Sequence, residues 1–311
     1  MAAETHAPVN PFEKGKQLLA SHHRETPPVK ADIVLAIDAC ASMAPFWRRL
    51  KQDALTLPSI VRSAASRIGL SPSDVRLRIV AFRDLYIQPV AFECSPFCTL
   101  EEPDETLLQP DPAPAPAAPP APAGPLTEDA AGGPGAPDDE ESPEMEEAAE
   151  TPAPPPPANL KTLRDFIASV EPYGKGGPNT SGLEALIAAL HSLWRREGSM
   201  RDRILIISDS AAYNLDEPLR SFDPEYESIL RSVLPPDSSD LPETLDGLRK
   251  LWRDGVGDID NWNSRVLLFT PAVWPWTQLS TWSRITSMPQ PPEGVRQLQL
   301  SHVLTTAFAT M

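Results

Sequence analysis

Cysteine is scarce in this chain of 311 residues, with only Cys40, Cys94 and Cys98 present. Three thiols cannot build a disulfide framework. Cys94 and Cys98 have no second pair or histidine cluster beside them, which argues against a zinc site. Reduced thiols are the simplest reading. Long apolar runs are missing too: nothing reaches the roughly 18 residues of a membrane-spanning helix. The opening MAAETHAPVNPFEKGKQ lacks the apolar centre of a secretory signal. A cytoplasmic protein with no membrane contact is therefore expected. No basic stripe with interleaved aromatics occurs, so no nucleic-acid partner is expected. The Gly-x-Ser-x-Gly elbow and the Gly-x-x-x-x-Gly-Lys-Ser/Thr phosphate loop are both absent, which removes two common catalytic frameworks.

One absence is local. Between Glu101 and Ala158 there is no Lys or Arg, while 15 acidic residues fall there. Nearly all of the net charge of −16 resides in that segment, and the remainder of the chain carries −1. Pro and Ala dominate it, with acidic clusters at Asp138-Asp139-Glu140-Glu141 and Glu144-Met145-Glu146-Glu147. Such a composition buries too little apolar area to offset the entropy of ordering, and its charges repel one another. Residues 99–158 are expected to be a disordered insertion within one domain, because the flanking pieces complete each other. A division into two domains at this point is the alternative. Residues 1–30, polar and holding Pro8, Pro11, Pro27 and Pro28, are expected to be a flexible lead-in.

What remains alternates strands with helices. Ile33 to Ile37 is a continuous apolar run, as in a strand buried on both faces of a parallel sheet. Asp38, Cys40 and Ser42 follow it directly. Pro45 to about Arg67 has helical spacing, kinked or broken at Pro58. Val75 to Phe82 is a second strand, and Tyr86 to Phe92 is expected to close a hairpin along the sheet edge. Asp84 between them is read as a solvated loop carboxylate, with an acid standing behind the strand-end site as the alternative. A short helix covers Leu160 to Ala168. The glycine-rich stretch Gly174 to Gly182 then leads into a helix ending near Arg196, with Asn179, Thr180 or Ser181 able to cap it. Arg203 to Ile207 repeats the opening theme, a buried run ending in Ser208 and Asp209. Further on come a helical region over 219–256, a strand from Ser264 to Pro271, and a helix containing Trp276, Leu279 and Trp282. A last strand is expected over Val295 to Leu300, and a closing helix over Ser301 to Met311. In open α/β sheets ligands bind beyond the carboxyl ends of the strands, where Asp38 and Asp209 would both lie.

The series Asp38-Ala39-Cys40-Ala41-Ser42-Met43, Phe82-Arg83-Asp84, the glycine loop with Thr180, and Ser208-Asp209 resembles the ordered motifs of the von Willebrand factor A (vWA) domain. Bacterial members often write the first motif Asp-x-Thr-Gly-Ser-Met. The Leu-Phe-Thr-Pro strand end at residues 268–271 is also similar to bacterial vWA proteins. The resemblance implies a Rossmann-like α/β domain over 31–311, interrupted by the insertion. Its central sheet would be mostly parallel, with one antiparallel edge strand and helices on both faces. It further implies a metal-ion-dependent adhesion site holding Mg²⁺ or Mn²⁺ through Asp38, Cys40, Ser42, Thr180 and Asp209. Cys40 departs from the family pattern, standing where an oxygen ligand is usual, and sulfur suits softer metals.

The function this implies is non-catalytic protein binding, in which a partner's Glu or Asp completes the sphere of the cation. The acidic insertion could itself supply that carboxylate, since tethering holds it at high effective concentration. A metal-free vWA scaffold or adaptor is the alternative within the same class. A Mg²⁺-dependent phosphohydrolase is the rival from another class, but that chemistry places a second acid two residues after the first. Here that position is Cys40.

Overall fold

The computed structural model describes residues 29–85, 90–100, 158–174, 177–195, 199–216, 224–236, 238, 241–255, 259 and 262–311. The lead-in and the acidic segment 101–157 lie outside the described residues, and so do the expectations about their order. The described residues on either side of that segment belong to one compact unit.

At its centre is strand β1, Val29–Asp38, buried from Ala31 onward. On one side it pairs in parallel with β2, Val75–Phe82, so that Asp38 faces Phe82. On the other side it pairs in parallel with β7, Arg203–Ile207, setting Ile37 against Ile207. Strand β9, Arg265–Phe269, follows β7, and β10, Ile285–Ser287, forms the far edge, both parallel. The near edge is antiparallel: β3, Phe92–Cys94, and β4, Cys98–Thr99, both run along β2. Between them Ser95 keeps the ladder intact, its N–H donating to the Ile79 carbonyl and its hydroxyl accepting from the Ile79 N–H. The order β3-β2-β1-β7-β9-β10 makes a mostly parallel, Rossmann-like α/β sheet. Two-residue pieces complete the ladders: β5, Asn179–Thr180, pairs with β8, Ala211–Ala212, and β6, Ser199–Met200, with the start of β1.

Two apolar layers cover the sheet, as the alternation of side chains along a strand requires. Ile33, Leu35 and Ile37 pack beneath helices α1 (Ala44–Asp53), α2 (Leu57–Ser66), α3 (Leu160–Ser169), α8 (Pro292–Arg296) and α9 (Leu300–Ala309). Val34 and Ala36 face α4 (Gly182–Leu190), α5 (Pro224–Ser232), α6 (Leu245–Asp254) and α7 (Trp276–Leu279). Pro58 sits in the first turn of α2, so the expected long helix is two. Among the described residues no helix is long and apolar enough to cross a membrane.

Three expectations need correction. The edge strand is Phe92–Cys94 plus Cys98–Thr99 rather than Tyr86 to Phe92, of which residues 86–89 lie outside the described residues. Val295 to Leu300 is not a strand. Val295 belongs to α8, opened by Pro292, and Leu300 begins α9, so the apparent alternation straddles a helix junction. The last strand is the three-residue β10, too short to signal itself in the sequence. The ordered chain also extends into the ends of the expected 99–158 insertion. Thr99 lies in β4, Leu100 is buried, and the Thr99 N–H donates to the Ala158 carbonyl at 3.0 Å. Thr99 pairs with Arg76, six residues along β2 from the Asp38 register at Phe82. The acidic segment therefore departs and returns about 20 Å from the carboxyl edge of the sheet.

The opposite, amino edge is locked by one acid. Asp32, fully buried, accepts from the guanidinium groups of Arg76 and Arg195 and from the Arg195 backbone N–H at 3.0 Å. Arg195 also donates to the carbonyls of Ala31 and Asp74, tying the chain after α4 to β1 and to the approach to β2. Asp32→Asn keeps the shape and removes the charge. A loss of about 2–4 kcal/mol in urea denaturation is expected, below the full range for a broken buried pair because both guanidinium groups retain some water.

Candidate functional site

Four chain segments meet at the carboxyl edge because parallel strands all deliver their ends to the same side. After β1 come Asp38 to Met43, the last three in a single 3-10 turn that opens α1. After β2 come Arg83 to Leu85, and after β7 come Ser208 to Tyr213. The glycine-flanked turn ahead of α4 is held between the last two. Its Asn179 and Thr180 pair with Ala211 and Ala212, and the Ser181 hydroxyl accepts from the Leu85 N–H at 2.9 Å.

Asp38 is fully buried. Its Oδ1 accepts from the Cys40 N–H at 2.8 Å and its Oδ2 from the Ser208 hydroxyl at 2.8 Å. Trp47 fixes the backbone behind it, its indole N–H donating to the Asp38 carbonyl at 2.8 Å. Burial pushes the Asp38 carboxyl up to about 6. The Cys40 and Ser208 hydrogen bonds pull the other way, and the charge of Asp209 adds to the rise. The Cys40 thiol, buried and close to Asp38, is held well above the ordinary thiol range by desolvation first and by the Asp38 charge second. It stays protonated, and a protonated thiol is neither a good nucleophile nor a good metal ligand.

Asp209 is answered differently. Its Oδ1 accepts from the hydroxyls of Ser42 and Ser210, each at 3.1 Å. Its Oδ2 takes the Arg296 Nε–H at 2.6 Å. The carboxylate is 1% exposed and the Arg296 side chain 34%. Charge-assisted contacts of this length are the strong kind.

Of the five residues singled out in the sequence, Asp38, Cys40, Ser42 and Asp209 thus form one hydrogen-bonded group, joined through Ser208. Thr180 lies beside it, but its hydroxyl donates to the Ala211 carbonyl at 3.3 Å and bonds neither carboxylate. Asp84 is not solvated, as the sequence suggested, but fully buried, accepting from the Tyr213 hydroxyl at 2.9 Å. Ser208, Ser210 and Arg296 were missed. The two serines flank Asp209 and could have been noticed. Arg296 lies 87 residues further along and gave no local signal. Trp276 seals the floor: its indole N–H donates to the Ser210 carbonyl at 2.9 Å, and its ring lies so close to Gly182 that a Cβ there would meet it at 2.6 Å.

A hard divalent cation needs oxygen lone pairs aimed at a common point. Both oxygens of each carboxylate are engaged by protein donors, one of them by a guanidinium. Cys40 offers a soft sulfur where a hard cation wants oxygen, and Thr180 points its hydroxyl at a backbone carbonyl. Among the described residues no three His, Cys, Asp or Glu side chains are grouped to hold a metal. In this arrangement the residues do not fit Mg²⁺ or Mn²⁺.

Asp38 also sets a pH dependence. A carboxyl raised from 3.8 to about 6 resists ionisation in the folded chain. The stability this gives is full below pH 3.8 and is lost as pH rises through about 6. Asp38→Asn does not titrate. Relative to that variant, the wild type should lose up to about 3 kcal/mol between pH 4 and 7 in denaturant melts, at ~1.36 kcal/mol for each tenfold change in the ionisation constant. A difference that stays flat with pH would mean that Asp38 ionises as if exposed.

No protein-family model matches the chain, and no curated protein matches it. Among solved structures it is similar to proximal thread matrix protein 1 of the mussel byssus, at 10% identity and a TM-score of 0.39, over 91% of this chain and 48% of that one. The chain spans about half the length of that protein, and the likeness is too loose to carry an argument.

Proposed function

We propose that this chain is a non-catalytic protein-interaction module of the vWA kind that binds its partner at the carboxyl edge of the sheet. The observation that carries the reading is the closed hydrogen-bond network at that edge. Asp38 and Asp209 are consumed in tying together the loops after β1 and β7 and the Arg296 side chain, and the one thiol among them is kept protonated. Each carboxylate oxygen in this network already accepts a hydrogen bond from the protein, and Asp38 is fully buried, so neither acid is presented to a substrate. The network is suited instead to presenting a rigid surface. Around the network the edge carries the partly exposed Ser42, Ser210 and Arg296, and beyond the end of β9 the exposed apolar pair Val273 and Trp274. An acidic segment with an adjoining apolar side chain matches that combination of donors and apolar surface. A metal-free adaptor fits this geometry better than binding bridged by a cation, and a phosphohydrolase would have to use the inert Cys40 position.

Site-specific photo-crosslinking tests the reading. A photoreactive residue is placed at exposed Ala41 or Trp274 on the carboxyl edge, and at exposed Ser71 on the opposite edge as control. The same partner adduct should form from both carboxyl-edge positions, with or without EDTA, and not from Ser71. Adducts confined to the Ser71 side would overturn the assignment of the edge. Adducts abolished by EDTA would restore the cation-bridged form.

A further inference from the structure

The disagreement between the motif and the donor set has a specific cause. We infer that Arg296 is the built-in cation of this site: its guanidinium takes the Asp209 carboxylate that the vWA resemblance assigns to a divalent ion, and it thereby excludes that ion. The inference deepens the metal-free form of the proposed function and rests on the same edge of the sheet.

Three observations support it. Asp209 is 1% exposed at its side chain, so its charge requires a counter-charge from within the protein or from a bound ion. Arg296 supplies one at 2.6 Å, and a guanidinium cannot lose its proton at any ordinary pH. A divalent ion on the same carboxylate would stand a contact distance from a fixed positive charge, and the two cations would repel each other. The third observation is that Arg296 is held in position. Val295, just before it, is fully buried in the core, and Leu298, just after, is buried too. The Gln290 N–H donates to the Thr270 carbonyl at the end of β9, and α8 packs against α1, so the segment bearing Arg296 is anchored at both ends. The arginine therefore arrives at Asp209 as part of the core packing, unlike a long surface side chain that meets a carboxylate by chance.

Removal of the guanidinium would change the character of the oxygens around it. The Ser42 and Ser210 hydroxyls already donate to Asp209 Oδ1, and Asp38 is linked to the same group through Ser210 and Ser208. Without Arg296 this is an oxygen-rich pocket with uncompensated negative charge, the environment that Mn²⁺ and Mg²⁺ favour.

The test uses the full chain as wild type, Arg296→Lys, Arg296→Met and Arg296→Met with Asp209→Asn, titrated with Mn²⁺ by calorimetry and by the spin-resonance signal of free Mn²⁺. Near-ultraviolet circular dichroism reports folding. Arg296→Gln, whose amide can still donate to Asp209, replaces the Met variant if the latter does not fold. Wild type and Arg296→Lys should show no saturable Mn²⁺ binding. Arg296→Met should gain a site at least about tenfold tighter than anything in the wild type, equivalent to ~1.4 kcal/mol, and the Asp209→Asn addition should abolish it. Wild-type binding as tight as that of the Met variant overturns the inference. A folded Met or Gln variant that takes up no Mn²⁺ overturns it as well. Either result leaves the crosslinking pattern from Ala41 and Trp274 unaffected, so failure here is separable from failure of the interaction reading.

Discussion

A carboxylate shut away from water must either hold its charge at a cost or have it matched, and the carboxyl edge of this sheet shows one of each. Asp38 lies at the end of a strand flanked by β2 and β7, and its hydrogen-bond partners among the described residues are neutral. Burial raises its carboxyl to about 6, with a backbone N–H and a serine hydroxyl as partial compensation. Asp209, two residues beyond the end of the neighbouring strand, has a hydroxyl on either side and a guanidinium in front. The loops after β1 and β7 are tied to one another, and to the Arg296 that core packing delivers, through the partners of these two acids. The apolar layers above and below hold the sheet together, but they do not specify how its end is organised.

That distinction explains which parts were legible in the sequence. Strands β1, β7 and β9 could be read directly, since a strand covered on both faces is a run of apolar residues with few alternatives. Helices α3, α6 and α9 carry their period in the positions of Leu, Ile and Trp. The site acids Asp38 and Asp209 could be located because each closes such a run. Arg296 could not. Its significance comes from a partner 87 residues away, and the surrounding Gly-Val-Arg-Gln-Leu-Gln-Leu mimics strand alternation across a helix boundary. Asp84 was misjudged for a related reason. A charged residue in a short connection is normally solvated, but here Tyr213 from a distant loop covers it.

Cys40 takes on a different meaning in this setting. Viewed as a motif residue it is a weakened metal ligand. In the structure its backbone N–H is the donor that orients Asp38, and its thiol fills a dry space beside Asp38 and Asp84. A hydroxyl there would bring a stronger hydrogen-bonding group into a region whose acceptors are already served. A cysteine here accords with the proposal that the site relies on packing and on Arg296 rather than on a bound ion.

The hydrogen bond between Thr99 and Ala158 pins together the two mouths of the long acidic excursion. A loop whose ends are already clasped adds entropy of closure only logarithmically as it lengthens, about 0.6 kcal/mol per doubling. At that rate, doubling or halving the number of residues between Leu100 and Ala158 changes the closure cost by less than a single lost hydrogen bond.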